Sequence, residues 1–277
     1  MQKVGLTADK PARDPVYARL NFSTPMDQRP VINNDDYSKH ILSLEAAETL
    51  IADANGIAGG PTLDVHGFVR LPHAIDVEDL ADSEDSQARY RRNLKPFMKA
   101  LTGADEVMIL DINSVRRQKP AASSFKTPPP ADFVHSDYTF LGADQARAMF
   151  DVSFREEPRR IAMYNMWKLL SEGPTQRPLA FCDARTLAEE DVIPSDSLFP
   201  TYGGVLFESA LIRQNPNQQW YYFPDLQNDQ LLVFKQGDSD VSQPRVVPHS
   251  AFDDRSAPLN AAPRVSIEGW CMAWWYS

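Results

Sequence analysis

Five histidines occur in the 277 residues, at positions 40, 66, 73, 135 and 249. Any chemistry that needs imidazole must draw on that short list. One of them opens the triplet His135-Ser136-Asp137. In an extended strand, side chains repeat every two residues, which puts the imidazole and the carboxylate on one face, within reach of one metal ion. A third ligand has to come from elsewhere. His249, at the end of Pro244-Arg245-Val246-Val247-Pro248, is the best remaining candidate. Two imidazoles and a carboxylate form the facial set used by non-haem Fe(II), which leaves positions open for an organic acid and oxygen. A structural zinc site more often takes four protein ligands, thiolates among them. Arg264 follows His249 by 15 residues. A guanidinium there can hold the far carboxylate of a dicarboxylate whose other end chelates the metal. Each residue also has an ordinary reading. An HxD triplet arises by chance or as a hydrogen-bonded core histidine, His249 suits a surface beside Pro248, and Arg264 suits an ion pair with Glu268.

The elements that must position these residues lie mostly in the second half. Phe133–Phe140 is aromatic and β-branched, 142–150 has a short helical pattern, and 160–170 is strand-like. Short apolar or aromatic runs then recur at 202–209, 219–223, 230–236, 244–249 and 264–276, separated by turn signals such as Asn215-Pro216-Asn217 and Gly237-Asp238-Ser239-Asp240. Closely spaced strands without long intervening helices predict an antiparallel sandwich or barrel. Residues 1–60 are polar and turn-rich, with a helical repeat over 41–53 and a turn near Asn55-Gly56 and Gly59-Gly60. A short strand is expected over 63–70, with His66 on its surface, and a charged helix over 74–102 despite Pro96. A strand over 106–113 and a loop over 114–130 complete the first half.

Composition narrows the function. Acids outnumber Lys plus Arg by 38 to 28, for a net charge of -10, which argues against a duplex nucleic-acid binder. The presence of only two cysteines, Cys182 and Cys271, argues against a secreted disulfide scaffold. No apolar run approaches the length of a membrane helix, so the expectation is a soluble, cytoplasmic protein with a small-molecule partner. No glycine-rich nucleotide fingerprint occurs, and nothing in the sequence sets the oligomeric state.

Separated motifs carry a resemblance. They are His66-Gly67-Phe68, Gly103-Ala104, His135-Ser136-Asp137-Tyr138-Thr139, Tyr164-Asn165-Met166-Trp167-Lys168 and Trp220-Tyr221-Tyr222-Phe223-Pro224. Leu231-Leu232-Val233-Phe234-Lys235, Asp238-Ser239, Pro248-His249-Ser250-Ala251-Phe252 and Pro263-Arg264-Val265-Ser266-Ile267-Glu268 continue the series. In this order the chain resembles the fungal and bacterial CmcJ/AsaB-like hydroxylase/desaturase family, a branch of the Fe(II)/2-oxoglutarate-dependent oxygenases. The resemblance implies a mainly β protein with flanking helices around a double-stranded β-helix, the jelly-roll or cupin-like core. It implies one catalytic domain over 1–277, with 1–130 an elaboration of helices and edge strands and 131–277 most of the core and the metal site.

The same resemblance implies His135, Asp137 and His249 as Fe(II) ligands, Arg264 as the 2-oxoglutarate clamp, and O2 as co-substrate. Asn165 and Lys168 match polar cofactor-facing positions, while Tyr138, Trp167, Tyr222 and Lys235 are candidates for the substrate pocket. Lys168 and Gly237 depart from the family pattern, as do Leu169-Leu170 and Gly269-Trp270, so the substrate does not transfer from any family member. The implied activity is hydroxylation or desaturation of an unactivated C–H bond in a small specialised metabolite. Oxidative cyclisation at the same iron, a cupin-like metalloenzyme without 2-oxoglutarate, and a non-catalytic jelly-roll binding protein are the alternatives.

Overall fold

A computed structural model describes residues 11–74, 79–110, 114–119, 128–150, 152–200 and 204–276. In chain order its strands begin with β1 (Val16–Ser23), β2 (Val31–Asn33), β3 (Leu44–Asp53) and β4 (Phe68–Pro72). Helix α1 (Glu84–Thr102) precedes β5 (Glu106–Ile109), β6 (Ser114–Arg117) and β7 (His135–Ser136), and α2 (Gly142–Met149) precedes β8 (Arg160–Leu169). The chain then forms β9 (Leu179–Cys182), β10 (Val192–Phe199), β11 (Val205–Ile212), β12 (Trp220–Tyr222), β13 (Gln230–Asp238), β14 (His249–Ala251) and β15 (Val265–Trp275).

These strands make two sheets, the layered jelly-roll arrangement expected from the sequence. One holds nine strands in the order β1-β3-β12-β9-β14-β7-β11-β10-β2. The other runs β4-β13-β8-β15-β5, with β6 also paired to β15. Alternation along β8 divides the molecule. Ile161, Met163, Trp167 and Leu169 join clusters on the inner side of their sheet, and Asn165 shares that face. Ala162, Tyr164 and Met166 pack outward with Tyr90, Leu94 and Met98 of α1. Apolar residues alternate with the fold, so each sheet face has a buried layer to rest on.

Helix α1 is shorter than the charge pattern predicts. Ser83 caps it by accepting from Ser86 N at 3.2 Å, Glu84 and Asp85 occupy the first turn, and Gly103 closes it at φ 65°. Pro96 is accommodated inside the helix because it lies on the exposed row, away from the buried Tyr90, Leu94 and Met98. The beginning of the predicted helix, at 75–78, falls outside the described residues, as does the end of the predicted strand over 106–113 at 111–113.

Four local expectations are corrected. The 41–53 repeat is strand β3, held between β1 and β12, and its Leu44 and Leu50 are exposed rather than gathered on a helical stripe. The loop over 114–130 contains β6, recruited by β15. Only Phe68–Pro72 of the strand predicted over 63–70 and just beyond it is extended. Before it, His66 sits buried in a turn with Nδ1 accepting from Thr62 N at 3.2 Å. In 133–140 only His135–Ser136 joins a ladder before the chain bends into α2.

A close approach seats α2. β13 changes register against β8 between Lys235 and Gly237. At that irregularity a Cβ on Gly237 would lie 2.8 Å from Ala143 N, and one on Gly142 would lie 2.5 Å from Gln236 O. Only glycine permits this contact.

Met98 is fully buried at the centre of the α1 contact. Met98→Ala should lower the unfolding free energy by about 2–5 kcal/mol, measured by urea denaturation; an unchanged midpoint would place the helix outside the cooperative core.

Candidate metal centre

Strands β7 and β14 are antiparallel neighbours, and His135 is the register partner of His249. Residues directly opposite on such a pair have Cβ atoms about 4.5–5.5 Å apart, and here the two imidazole centroids lie 4.4 Å apart. Each ring is fixed by its own backbone. His135 Nδ1 lies 2.9 Å from Phe133 O, and His249 Nδ1 lies 3.1 Å from Val247 O. A carbonyl only accepts, so each Nδ1 carries the proton and each Nε2 keeps a free lone pair. Phe234 packs edge-on against His249 at 4.7 Å.

Asp137 reaches the same point by a different route from strand alternation. The chain bends after Ser136, and Gln236 Oε1 holds the bend by accepting from Ser136 Oγ at 2.6 Å and Asp137 N at 2.9 Å. Asp137 Oδ2 accepts from Asn165 Nδ2 at 2.8 Å and from Trp270 Nε1 at 3.1 Å. Its Oδ1 stands 3.8 Å from His135 Nε2. One potential ligand atom from each of His135, Asp137 and His249 lies within 4.8 Å of the others.

The electrostatics match a cation site. Burial drives His135 well below the ordinary histidine range, with His249 adding to the effect, and burial lowers His249 as well. Burial also pushes Asp137 up to about 6, against the hydrogen bond from Asn165. Two neutral imidazoles and a buried carboxyl group form a donor set suited to a divalent metal.

Arg264 enters β15 from the far side. Its side chain is buried and lies over the Trp167 ring, 4.7 Å from guanidinium carbon to centroid. Nε donates to Ser266 Oγ at 3.2 Å and Nη1 to Arg177 O at 2.9 Å. The ion pair with Glu268 does not form, because Glu268 accepts from Asn165 instead. Burial pulls Arg264 down to about 9, and Arg116 and Arg177 add to it. Among the described residues this buried cation has no carboxylate partner, an arrangement that favours an anionic ligand.

A family model described as "Oxidoreductase/YMDC permease-like domain" matches residues 20–274. The chain belongs to this family. Hydroxylase/desaturase asaB of Aspergillus flavus is 32% identical, with 95% of this chain and 90% of that protein aligned. Hydroxylase/desaturase CTB9 of Cercospora beticola is 29% identical over 77% of this chain and 72% of its own length. The Fe(II)/2-oxoglutarate-dependent dioxygenase nvfI of Aspergillus novofumigatus is 27% identical, covering 76% of this chain and 77% of that protein. In structure, the iron and alpha-ketoglutarate-dependent endoperoxidase NvfI W199F variant superimposes with a TM-score of 0.81 at 23% identity, over 96% of this chain and 99% of that one. That likeness establishes the shared fold. The protein is an oxidoreductase, and among its described residues no helix is long and apolar enough to cross a membrane.

The oxidoreductase's other sequence-derived site residues divide by strand face. Asn165 faces inward and bridges Asp137 to Glu268. Trp167 supports Arg264. Tyr138 packs behind the cleft wall, 5.1 Å from Phe207 and 5.5 Å from Trp270. Lys168 is a correction: alternation turns it away from Asn165, and its Nζ donates to His73 O at 2.8 Å and Gln230 O at 3.3 Å. Lys235 is turned away likewise, onto Asp238 at 2.8 Å. Tyr222 belongs to the cluster of Leu20, Ile51 and Phe252, and does not line the cleft beside His135 and Asp137.

Sequence reasoning missed Glu268, Trp270, Gln236 and Arg116. The first two were within reach, since Arg264, Ser266, Glu268 and Trp270 alternate along one strand face. Gln236 and Arg116 had no comparable signal, the latter lying in a segment rich in proline and polar residues.

Removing a hydrogen-bond donor that orients a metal ligand typically costs 10–100-fold in metal affinity. Asn165→Ala should therefore weaken anaerobic Fe(II) binding by about 10–100-fold, read by equilibrium dialysis; wild-type affinity would show that Asn165 does not orient Asp137.

Proposed function

We propose that this protein is an Fe(II)/2-oxoglutarate-dependent oxygenase that oxidises an unactivated C–H bond of a small specialised metabolite. The carrying observation is that one ligand atom each from His135, Asp137 and His249 lies within 4.8 Å of the others, near the buried Arg264 guanidinium, which has no carboxylate partner among the described residues. His135, Asp137 and His249 would hold the iron, and Arg264 the distal carboxylate of 2-oxoglutarate. When bound, iron and 2-oxoglutarate supply, with O2, the oxidising power for C–H cleavage, and succinate and CO2 are released.

The chain's own residues supply placement. Asn165 and Trp270 occupy Asp137 Oδ2 and leave Oδ1 for the metal. The two backbone carbonyls hold both imidazoles in the metal-binding tautomer. Ser266 and Trp167 keep the Arg264 fork in one orientation. Phe133, Phe199, Phe207 and Trp270 are among the residues that line the cleft with His135 and Asp137, and their rings offer apolar surface to the substrate.

Hydroxylation and desaturation diverge only after hydrogen removal, so a small change in substrate placement selects between them. Ring closure at the same iron is the second reading, and the endoperoxidase activity in the structural neighbour's name favours keeping it. The chain is read as one catalytic domain over 1–277, with 131–277 contributing the three metal ligands and Arg264. The free, buried Cys182 and Cys271 suit a reducing, cytoplasmic setting.

Under nitrogen, the protein should take up one Fe(II) and develop a weak visible charge-transfer band when 2-oxoglutarate is added. His135→Ala and His249→Ala should each abolish tight iron binding, whereas Arg264→Ala should keep iron and bind 2-oxoglutarate at least about tenfold more weakly. Iron uptake without the band would refute the use of 2-oxoglutarate, and full iron occupancy in either histidine variant would refute that ligand.

A further inference from the structure

We propose that Arg116 determines substrate specificity by gripping a carboxylate of the molecule to be oxidised, which is then a small organic acid with an apolar, ring-sized body. The proposal rests on the oxygenase reading only in assigning this cleft to the prime substrate.

Arg116 and Arg117 are consecutive on β6, so they point to opposite faces. Arg117 goes outward, donating to Asp82 at 2.8 Å. Arg116, the register partner of Ser266 on β15, goes inward and lines one cleft with His135, Asp137 and Glu268. Its Nη1 donates to Tyr37 Oη and, at 3.4 Å, to Pro129 O. Nε and Nη2 have no hydrogen-bond partner among the described residues. Those two nitrogens form one edge of the planar guanidinium, the edge that matches a carboxylate bidentately.

The carboxylates already in the cleft are otherwise engaged. Glu268 accepts from Asn165, and Asp137 accepts from Asn165 and Trp270. Both carboxylates lie near enough to raise Arg116 electrostatically, but among the described residues neither takes a hydrogen bond from it. Among the described residues no carboxylate bonds the Nε–Nη2 edge of Arg116, and that edge is the one offered to a substrate acid.

The rest of the cleft describes that acid's body. Phe199 stacks on Phe207 at 5.6 Å, and Trp270 meets Phe207 edge-on at 5.6 Å. Such a wall favours a flat apolar group. Asn34, Ser197 and Ser209 add hydroxyl and amide groups along the lining. The two inward arginines thus have separate tasks: Arg264 is sealed beneath Trp167, whereas Arg116 opens onto the cleft.

The test uses 4-fluorophenylacetate and its uncharged match, 4-fluorophenylacetamide, titrated by fluorine NMR into Fe(II)- and 2-oxoglutarate-loaded protein under nitrogen. Wild type should bind the acid at least about tenfold more tightly than the amide. Arg116→Met should abolish that preference, and Arg116→Lys, which keeps charge but loses the fork, should fall between. Equal binding of acid and amide by wild type overturns the proposal without recourse to any variant. So does a preserved preference in Arg116→Met, or an equal loss of 2-oxoglutarate affinity in that variant, which would assign Arg116 to the co-substrate. The charge-transfer band is read in the same tubes. Its absence from wild type would sink the oxygenase reading, while the acid-to-amide ratio on the same protein would still decide the fork.

Discussion

His135 and His249 face one another across two antiparallel strands, and the separation of their rings is set by the hydrogen-bond ladder rather than by loops. The other parts of the centre depend on that pairing. β14 is held on its other side by β9, and β7 by β11, so neither histidine strand is an edge. Local carbonyls then orient the rings. The third donor comes from a bend stitched to the opposite sheet through Gln236 and Asn165. Two sheets must be in register with one another before three side chains can meet.

Charge is partitioned by burial. Asp137 and Glu268 share Asn165 as a donor, and two guanidiniums stand on the same inner face of neighbouring strands. In a dry interior each charge would be costly alone. The arrangement becomes favourable when a divalent cation and small anions complete it, so the folded chain stores an electrostatic preference for its cofactors. Arg264, with its raised cost of burial, is the clearest case.

Much of the site was legible in the sequence because strand chemistry is local. His135, His249 and Arg264 each sit at a strand boundary that apolar runs and turn signals announce. The second-half strands followed the same signals. The elements that stayed hidden were decided by tertiary partners. β3 shows a helix-like spacing, yet ladders on both sides make it extended. β10 lies in an acidic, proline-containing stretch and is stabilised by pairing to β11, with Ser195 and Ser209 hydroxyls 2.8 Å apart inside the sheet. Lys168 and Lys235 stood in motifs that carry the family resemblance, but strand alternation turns both side chains away from the cleft, onto His73 O and Asp238.

The Gly142–Gly237 contact has a consequence for how this centre can diverge. α2 starts five residues after Asp137, so the height at which α2 rests on β13 also sets where the bend carrying Asp137 begins. A methyl group at either glycine would have to lift the helix or flatten the β13 irregularity. The two positions therefore act as a spacer shim. Neither can grow without one of those movements, so a lineage that enlarges either one must re-level the carboxylate against the histidine pair before any new substrate can be accommodated.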